Sequence, residues 1–349
     1  MEIKYYHLKD QECLLPWEKE KREILVKKEA ETDWKYGEDP WKRPIEKLLK
    51  YAVINLDKPK GPTSHQVVSW VRDIVGVKAG HGGTLDPKVT GVLPVAIGQA
   101  TKVLRYLLTA GKEYVTLMIL HKPVPEEKIF EAIKKFTGEI IQLPPLKSAV
   151  KRRPRKKKVY DVKVIEIIDN RYVLLRIATE AGVYIRKWVH DIGQYLGVGA
   201  HMQELRRTKA GPFNEKDPNK PLVTLQDIVD SLAFWKEEGK EKYLRKVFLP
   251  PEVAVEHMPK IWILDTAVSA VAHGANLAVP GIAKLHSGIK PGDWVAIMTL
   301  KNELVAIGKA LMTSEEMLEK NRGIAVDVER VFIDRNLYPK VWKKKAQIQ

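Results

Sequence analysis

The sequence predicts an α/β (α+β) chain with a mixed-sheet domain over residues 51–255 and a small β-rich domain over residues 259–337. Strand-like and helix-like segments alternate through the first region without a regular βαβ order, which indicates a mixed sheet with flanking helices. Beyond Pro259, closely spaced turn signals and a hairpin pattern indicate a compact β domain. The 349 residues suffice for two such domains.

The mixed-sheet region begins with a predicted strand and helix. The apolar run 51–56 predicts a buried strand, and the polar, proline-containing stretch 57–62 ends it. Ser64 is the predicted N-cap of the helix that follows, and Gly76 is its predicted stop. The apolar residues that recur at helical spacing between them are Val67, Val68, Val71, Ile74 and Val75.

Further along, a second helix and two more strands are predicted. The helix follows Pro125 and is expected to end at Gly138. Its apolar face consists of Ile129, Phe130, Ile133 and Phe136. Strand-like runs at 114–120 and 172–177 lie on either side of this helix in the sequence.

The C-terminal region contains a hairpin pattern. Apolar runs at 294–300 and 304–308 flank the polar turn Lys301-Asn302-Glu303. Turn-forming residues at 280–281 and 291–293 shorten the elements around it. A β-rich domain of roughly 75 residues is therefore expected here.

The two ends of the chain are predicted to lie outside these domains. Residues 1–50 are rich in Lys, Glu and Trp and have little periodicity, so we expect an N-terminal extension that packs on the C-terminal domain. Residues 338–349 are expected to form a basic, frayed tail containing Lys343-Lys344-Lys345.

The formal net charge of +16 indicates a polyanionic partner, for which nucleic acid is the leading candidate. A membrane surface fits poorly, because no apolar run reaches about 18 residues and the first ten residues are too polar for a signal peptide. The single cysteine, Cys13, excludes an internal disulfide framework and favours an intracellular, cytoplasmic protein. No His-Glu-x-x-His motif occurs among the nine scattered histidines, so neither a metal nor another cofactor is expected.

The segment Gly80–Pro87 is the strongest candidate for a functional loop. Gly82 and Gly83 can adopt positive φ and let backbone approach a ligand, and Pro87 restricts Asp86 to extended geometry. The segment lacks the Gly-Lys-Ser/Thr ending of a phosphate-binding loop and the third glycine of a dinucleotide fingerprint. Alone, such a turn is more often structural. Its meaning therefore depends on the rest of the chain.

Five segments resemble, in order, those of the TruB/dyskerin family of RNA pseudouridine synthases, most closely the archaeal guide-RNA-dependent (H/ACA) branch. They are residues 57–65, 79–95, 112–114, 181–186 and 199–208. Residues 273–275 and 280–282, with the hairpin, resemble a PUA domain, which is an RNA-binding module. The resemblance covers residues 55–342. It implies the pseudouridine synthase fold, with a largely antiparallel central sheet, over residues 51–255 and a PUA domain over 259–337.

The resemblance also implies the chemistry, which is isomerisation of uridine to pseudouridine. Asp86 would be the nucleophile, acting at C6 of uracil, at C1′ of ribose, or by assisting glycal formation, and the sequence leaves these three open. Arg186 would pair with Asp86, and Tyr114 would stack on the base and assist proton transfer. Tyr184 and Leu205 would line the pocket.

Three further sets of residues are expected to bind RNA. His81 matches the position that the family uses near the stack vacated by a flipped nucleotide. Lys58 lies in the first family motif and is expected to contact substrate. Residues 143–158 resemble the family's thumb loop, within which we expect backbone-phosphate contacts from Lys151, Arg152 and Arg153.

Two insertions of the bacterial tRNA-modifying members are missing, which implies that other molecules position the substrate. The expected partners are an H/ACA guide RNA, a ribosomal RNA substrate and three small proteins: one zinc-ribbon-like, one of the glycine–arginine family and one kink-turn-binding. The alternatives are a stand-alone tRNA T-loop pseudouridine synthase and a non-catalytic RNA-binding scaffold. The presence of Asp86, Tyr114 and Arg186 argues against the scaffold.

Overall fold

The computed structural model describes residues 12–144 and 153–340, which divide into two compact units. The first unit contains the described residues up to Lys19 together with Ile54–Val95 and Leu104–Val247. The second contains Glu20–Val53, Ala96–Val103 and the described residues from Phe248 onward.

The strands of the described residues are β1 (Ile24–Val26), β2 (Tyr51–Lys58), β3 (Ala79–His81), β4 (Thr90–Gly98), β5 (Lys112–Leu120), β6 (Gly138–Gln142), β7 (Arg155–Ile168), β8 (Tyr172–Thr179), β9 (Ala200–Ala210), β10 (Phe213–Asn214), β11 (Lys260–Ile263), β12 (Leu277–Ala278), β13 (Ile282–His286), β14 (Trp294–Thr299), β15 (Leu304–Ala310) and β16 (Ile324–Val331).

The α-helices of the same residues are α1 (Pro16–Lys19), α2 (Ile45–Leu48), α3 (Ser64–Val75), α4 (Leu104–Leu108), α5 (Glu126–Lys135), α6 (Ile185–Tyr195), α7 (Leu225–Glu238), α8 (Glu241–Val247), α9 (Asp265–Ala272) and α10 (Ser314–Glu319).

The larger sheet is mixed and largely antiparallel, as predicted. Its main path runs β2-β4-β9-β5-β8-β7-β6, with β3 paired to β4 and β10 paired to β9. The β4–β9 pairing is parallel, whereas β5 pairs antiparallel with both β8 and β9. Helices flank the sheet, so the predicted fold class is confirmed.

One face of this sheet packs against α5 and α6. Ile129 and Ile133 of α5 and Trp188 and Val189 of α6 are buried in a common cluster with apolar residues of β5 and β8. The Trp188 indole N–H donates to the Phe136 carbonyl at 2.9 Å, so its polar atom is satisfied inside the core. Burial of this face anchors α6 to the sheet.

The second unit contains a seven-stranded sheet ordered β1-β13-β11-β14-β15-β16-β12. The predicted hairpin is confirmed, since β14 and β15 pair antiparallel around residues 300–303. Strand β1 lies within the predicted N-terminal extension and pairs antiparallel with β13. Part of that extension is therefore built into a sheet.

Two predicted helix boundaries are wrong in detail. The N-cap of α3 is Thr63, which forms a capping box with Gln66, while Ser64 is the first helical residue. The predicted stop at Gly76 is confirmed, with φ of +77°. Helix α5 ends at Lys135, and Gly138 instead begins β6. The Ser64 hydroxyl does not cap the helix, since it forms hydrogen bonds with the carbonyl and the amide of Leu85.

A buried ion pair ties the N-terminal part of the second unit to the segment before β11. The Arg43 guanidinium donates two hydrogen bonds to the Glu252 carboxylate, at 2.7 and 2.6 Å. Glu252 also accepts from the Leu304 amide at 3.0 Å. Arg43 is almost fully buried, and the paired carboxylate raises the pKa of its guanidinium against the opposing effect of burial. Removal of one partner would leave the other charge buried and unpaired.

We predict that Arg43→Met lowers the free energy of unfolding by about 3 kcal/mol, because Glu252 would remain desolvated without its partner. Urea denaturation would measure the change. Arg72→Met is the matched control, since Arg72 pairs with Asp73 on an exposed surface and should change stability by less than about 1 kcal/mol. Equal, small effects in both variants would contradict the prediction.

Candidate active site

The strand order of the larger sheet brings residues from distant parts of the sequence together. Tyr114 of β5 pairs with Arg207 of β9, and Gly91 of β4 pairs with the same Arg207 from the other side. A Cβ at Gly91 would lie 2.1 Å from the Arg207 carbonyl oxygen, so only glycine permits this approach. Asp86 lies in the loop just before β4 and is thereby placed near the centre of the sheet.

An open cleft of about 600 Å³ lies at this position, a volume typical of small-molecule sites. Five of the predicted site residues line it: Asp86, Tyr114, Tyr184, Arg186 and Leu205. Because side chains alternate along a strand, Lys112 and Arg207 face the same cleft as Tyr114 and Leu205. The cleft therefore combines one carboxylate, two tyrosine rings, apolar walls and several basic side chains.

Asp86 and Arg186 form an ion pair at the mouth of the cleft. Arg186 Nη2 donates to Asp86 Oδ2 at 3.0 Å. The two side chains are 61% and 62% exposed, so both remain open to an incoming molecule. An ion pair this exposed contributes little to stability. The surrounding backbone must therefore set the positions of the two groups.

The loop that carries Asp86 is fixed by hydrogen bonds to its own backbone. The Ser64 hydroxyl donates to the Leu85 carbonyl at 2.9 Å and accepts from the Leu85 amide at 2.8 Å. The Gly82 amide donates to the Pro94 carbonyl, and Gly83 adopts φ of +135°, which favours glycine. Asp86 is thus exposed at the end of a rigid loop.

Lys58 lies beneath this loop instead of in the cleft. Its side chain is fully buried, and its ammonium donates to the carbonyls of Pro59, Pro87 and Val89 at 2.9, 3.3 and 3.0 Å. Burial lowers the pKa of Lys58, and the charge of Asp86 opposes that shift. The structure therefore places the predicted substrate-binding Lys58 as a support of the Asp86 loop.

Arg207 and Lys112 are two further buried cations beside the loop. Arg207 donates to the carbonyls of Val92 and Gly83 at 2.8 and 3.0 Å. Lys112 donates to three carbonyls, those of residues 107, 108 and 110, at 2.6 to 3.0 Å. Burial and the nearby Arg207 lower the pKa of Lys112 to about 7. Burial also lowers the pKa of Arg207.

His81 lies just before the loop and packs edge-on against His65, with ring centroids 5.2 Å apart. Its Nδ1 accepts from the Gly83 amide at 3.3 Å, which fits a neutral imidazole. Burial, the neighbouring His65 and Arg207 lower the pKa of His81 from its usual 6.5 to about 4. His81 is not among the residues that line the cleft.

The predicted thumb-loop cations fall largely outside the described residues. Lys151 and Arg152 lie in the undescribed stretch 145–152, whereas Arg153 is described and exposed. Within residues 12–144 and 153–340, no group of three or more His, Cys, Asp or Glu side chains is arranged to hold a metal ion. In the same residues, no helix has the length and apolar character needed to cross a membrane.

Four family models match successive parts of the chain. They are the DKCLD (NUC011) domain at residues 12–68, the TruB family pseudouridylate synthase N-terminal domain at 72–127, the tRNA pseudouridylate synthase B C-terminal domain at 186–256 and the PUA domain at 259–332. The chain is 72% identical over 335 residues to a probable tRNA pseudouridine synthase B of Nanoarchaeum equitans, covering 96% of this chain and 95% of that protein.

The chain belongs to the TruB family of pseudouridine synthases. A probable tRNA pseudouridine synthase B of Pyrococcus furiosus is 63% identical over 327 residues, covering 93% of this chain and 95% of that protein. The predicted family and the predicted PUA domain are confirmed, and the chain is a pseudouridine synthase.

Solved structures agree over nearly the whole chain. A chain from the crystal structure of a Cbf5-Nop10-Gar1 complex is 63% identical, with a TM-score of 0.89, covering 94% of this chain and 99% of that one. A chain from the structure of an H/ACA RNP bound to a substrate RNA containing 2′-deoxyuridine is 60% identical, with a TM-score of 0.88, covering 95% and 100%.

Several residues that shape this pseudouridine synthase site were not assigned a role from the sequence. The sequence predicts Ser64 only as a helix cap, and Lys112 and Arg207 occur in it only as members of segments that resemble the family. Strand alternation could have found the two cations, since each lies two residues from a predicted pocket residue. Gln142, whose side chain hydrogen-bonds the backbone of Tyr184, gave no sequence signal.

We predict that His81 makes stability depend on pH between about 6.5 and about 4. Because the folded pKa is the lower one, the unfolded protein binds more protons in this window, so the free energy of unfolding falls as pH falls. His81→Gln should remove this part of the dependence in urea denaturation at a series of pH values. The exposed His190→Gln is the control. Identical pH profiles for His81→Gln and the unaltered chain would disprove it.

Proposed function

We propose that this chain is the catalytic subunit of an H/ACA ribonucleoprotein and isomerises specific uridines of ribosomal RNA to pseudouridine under guide-RNA direction. The observation that carries the proposal is similarity over nearly the whole chain to a protein from a substrate-bound H/ACA RNP. The same similarity to a chain of a Cbf5-Nop10-Gar1 complex supports assembly with small RNP proteins. The net charge of +16 supports binding to RNA.

Asp86 is the proposed nucleophile. The reaction breaks the C1′–N1 bond, rotates the uracil and forms a C1′–C5 bond, and the proton on C5 is replaced by one on N1. Asp86 presents an exposed carboxylate on a rigid loop, so it can reach a nucleotide that has been flipped out of its stack. Attack at C6, attack at C1′ and assistance of glycal formation all use this one carboxylate.

The other cleft residues have proposed roles that follow from their chemistry. Arg186 holds Asp86 ionised and oriented when RNA covers the cleft, because an opposite charge favours the carboxylate form. Tyr114 stacks on the target base, and its hydroxyl assists proton transfer at C5. Tyr184 and Leu205 supply the apolar contact that a neutral base requires.

RNA outside the cleft is proposed to contact the basic residues of the thumb loop and the PUA domain. Lys151, Arg152 and Arg153 stand together in the sequence, and the one described among them is exposed. Such contacts bind phosphates without reading sequence, so they would make affinity depend on salt. His81 is the proposed neighbour of the vacated stack, and its neutral ring suits packing against a base.

Modification of a tRNA T-loop by the isolated chain is the second candidate function. The name of the Nanoarchaeum equitans relative, a probable tRNA pseudouridine synthase B, favours it. The same cleft would perform the same chemistry on that substrate, so the two candidates differ in what positions the RNA. A guide RNA and small proteins would do so in the first, and the chain alone in the second.

We predict that Asp86→Asn abolishes pseudouridine formation while RNA affinity stays within about twofold, because the phosphate contacts lie elsewhere. Tritium release from RNA containing 5-³H-uridine measures the activity, and a filter-binding titration measures the affinity. Asp73→Asn removes an exposed carboxylate from α3 and should retain full activity. Turnover of Asp86→Asn near that of the unaltered chain would exclude Asp86 as the nucleophile.

We predict that the chain modifies a ribosomal RNA fragment only when a complementary guide hairpin is present. Replacing Lys151, Arg152 and Arg153 by alanine should weaken RNA binding and reduce its salt dependence by a slope of about 0.9 for each lost phosphate contact on a duplex. The activity measurements compare a ribosomal RNA fragment with a matched guide, the same fragment with a scrambled guide, and a free tRNA T-loop. Equal activity on ribosomal RNA with and without guide would overturn guide direction in favour of the second candidate function.

A further inference from the structure

The loop Glu180–Tyr184 joins β8 to α6, which is the helix that carries Arg186 in its first turn. Since the Asp86–Arg186 pair is exposed on both sides, its own attraction is too weak to fix where the guanidinium lies. The backbone of this loop, through the start of α6, must supply that precision. The residues that hold the loop therefore influence where Arg186 lies relative to Asp86.

Gln142, the last residue of β6, holds the end of the loop next to α6. The Tyr184 amide donates to Gln142 Oε1 at 3.0 Å, and Gln142 Nε2 donates to the Tyr184 carbonyl at 3.2 Å. Gln142 is 3% exposed, so both bonds are shielded from water. Tyr184 is the N-cap residue of α6, and its carbonyl also accepts from the Trp188 amide. One side chain thus binds both peptide groups at the start of the helix.

Strand β7 holds the beginning of the same loop. The Glu180 amide donates to the Lys158 carbonyl at 2.8 Å, and the Lys158 amide donates to the Glu180 carboxylate at 3.1 Å. The Lys157 ammonium donates to the Glu180 carboxylate at 2.9 Å and to the Ala181 carbonyl at 2.7 Å. The Lys157 ammonium therefore binds groups of this loop, although Lys157 belongs to the most basic stretch of the sequence.

We propose that Gln142 is a positioning residue for the isomerisation, which fixes the peptide groups of Tyr184 and thereby the placement of Arg186 against Asp86, with Lys157 securing the other end of the loop. The proposal rests on the proposed function of Asp86 and Arg186. Neither Gln142 nor Lys157 lines the cleft. Their effect should therefore appear in the rate of the chemical step and not in binding of RNA.

Gln142→Met tests the proposal, since it keeps the length of the side chain and removes both hydrogen bonds. We expect kcat to fall at least about tenfold, because the variant loses both hydrogen bonds that hold the peptide groups of Tyr184, while KM stays within about twofold. The measurement is tritium release by the full chain, with its guide RNA and partners where these are required. Glu139→Gln, on the exposed face of β6, is the matched control and should keep kcat within about twofold.

Gln142→Glu gives a readout that a merely structural role would not produce. A protonated glutamic acid can accept from the Tyr184 amide and donate to its carbonyl, as glutamine does, whereas the carboxylate can only accept. The activity of Gln142→Glu relative to the unaltered chain should therefore rise as pH falls from 7 to 5. The relative activity of Gln142→Met should not change with pH. A flat ratio for both variants would overturn the proposal.

Lys157→Met tests the other end of the loop and guards against a failure of the Gln142 variants to fold. It should lower kcat with KM unchanged, whereas Lys163→Met, on the same strand and paired with Asp161, should not. If Gln142→Met and Lys157→Met keep full kcat while Asp86→Asn is inactive, this inference is wrong and the proposed function stands. If Asp86→Asn is active, the proposed function fails instead.

Discussion

Three buried cations hold the backbone on which the Asp86 site is built. Lys58 and Arg207 bind carbonyls on both sides of Asp86, and Lys112 binds the carbonyls that end α4. A buried charge is unfavourable unless hydrogen bonds compensate it, so each cation strongly favours the one arrangement that satisfies its donors. Among the three, Lys58 also lies close enough to Asp86 for the carboxylate to oppose the lowering of its pKa by burial. The frame therefore fixes the loop and places one buried ammonium near the carboxylate.

The rigid frame contrasts with the exposed pair at its mouth. Asp86 and Arg186 are each more than half exposed, and the cleft between the described residues is open. In the proposed function the site must admit a flipped nucleotide, and this openness lets the base enter from outside the fold. The Ser64 contact and the proposed positioning contact of Gln142 act on the backbone on the two sides of the pair. In the proposed function, RNA completes the site by excluding the water that the protein leaves there.

The N-terminal residues contribute to both units in different ways. Cys13 is buried in the first unit, where its thiol donates to the Arg176 carbonyl and burial raises its pKa to about 12. Strand β1 and the buried Arg43 belong to the second unit. The described N-terminal residues have little periodicity, yet Cys13, β1 and Arg43 are each placed by a partner that is distant in the sequence.

The sequence by itself determined the family, the fold class, the hairpin and five residues of the cleft lining, because motif order and apolar periodicity are local properties of the chain. The sequence predicts Asp86, Tyr114, Tyr184, Arg186 and Leu205 as site residues, and all five line one cleft. The backbone contacts of Ser64, Lys58 and Gln142 were decided only by the tertiary structure. Each of these side chains hydrogen-bonds backbone groups that are distant in sequence or brought close by a turn, so no pattern around it indicates the partner. Long-range hydrogen bonds to the main chain depend on strand order and register, and these exist only once the sheet has formed.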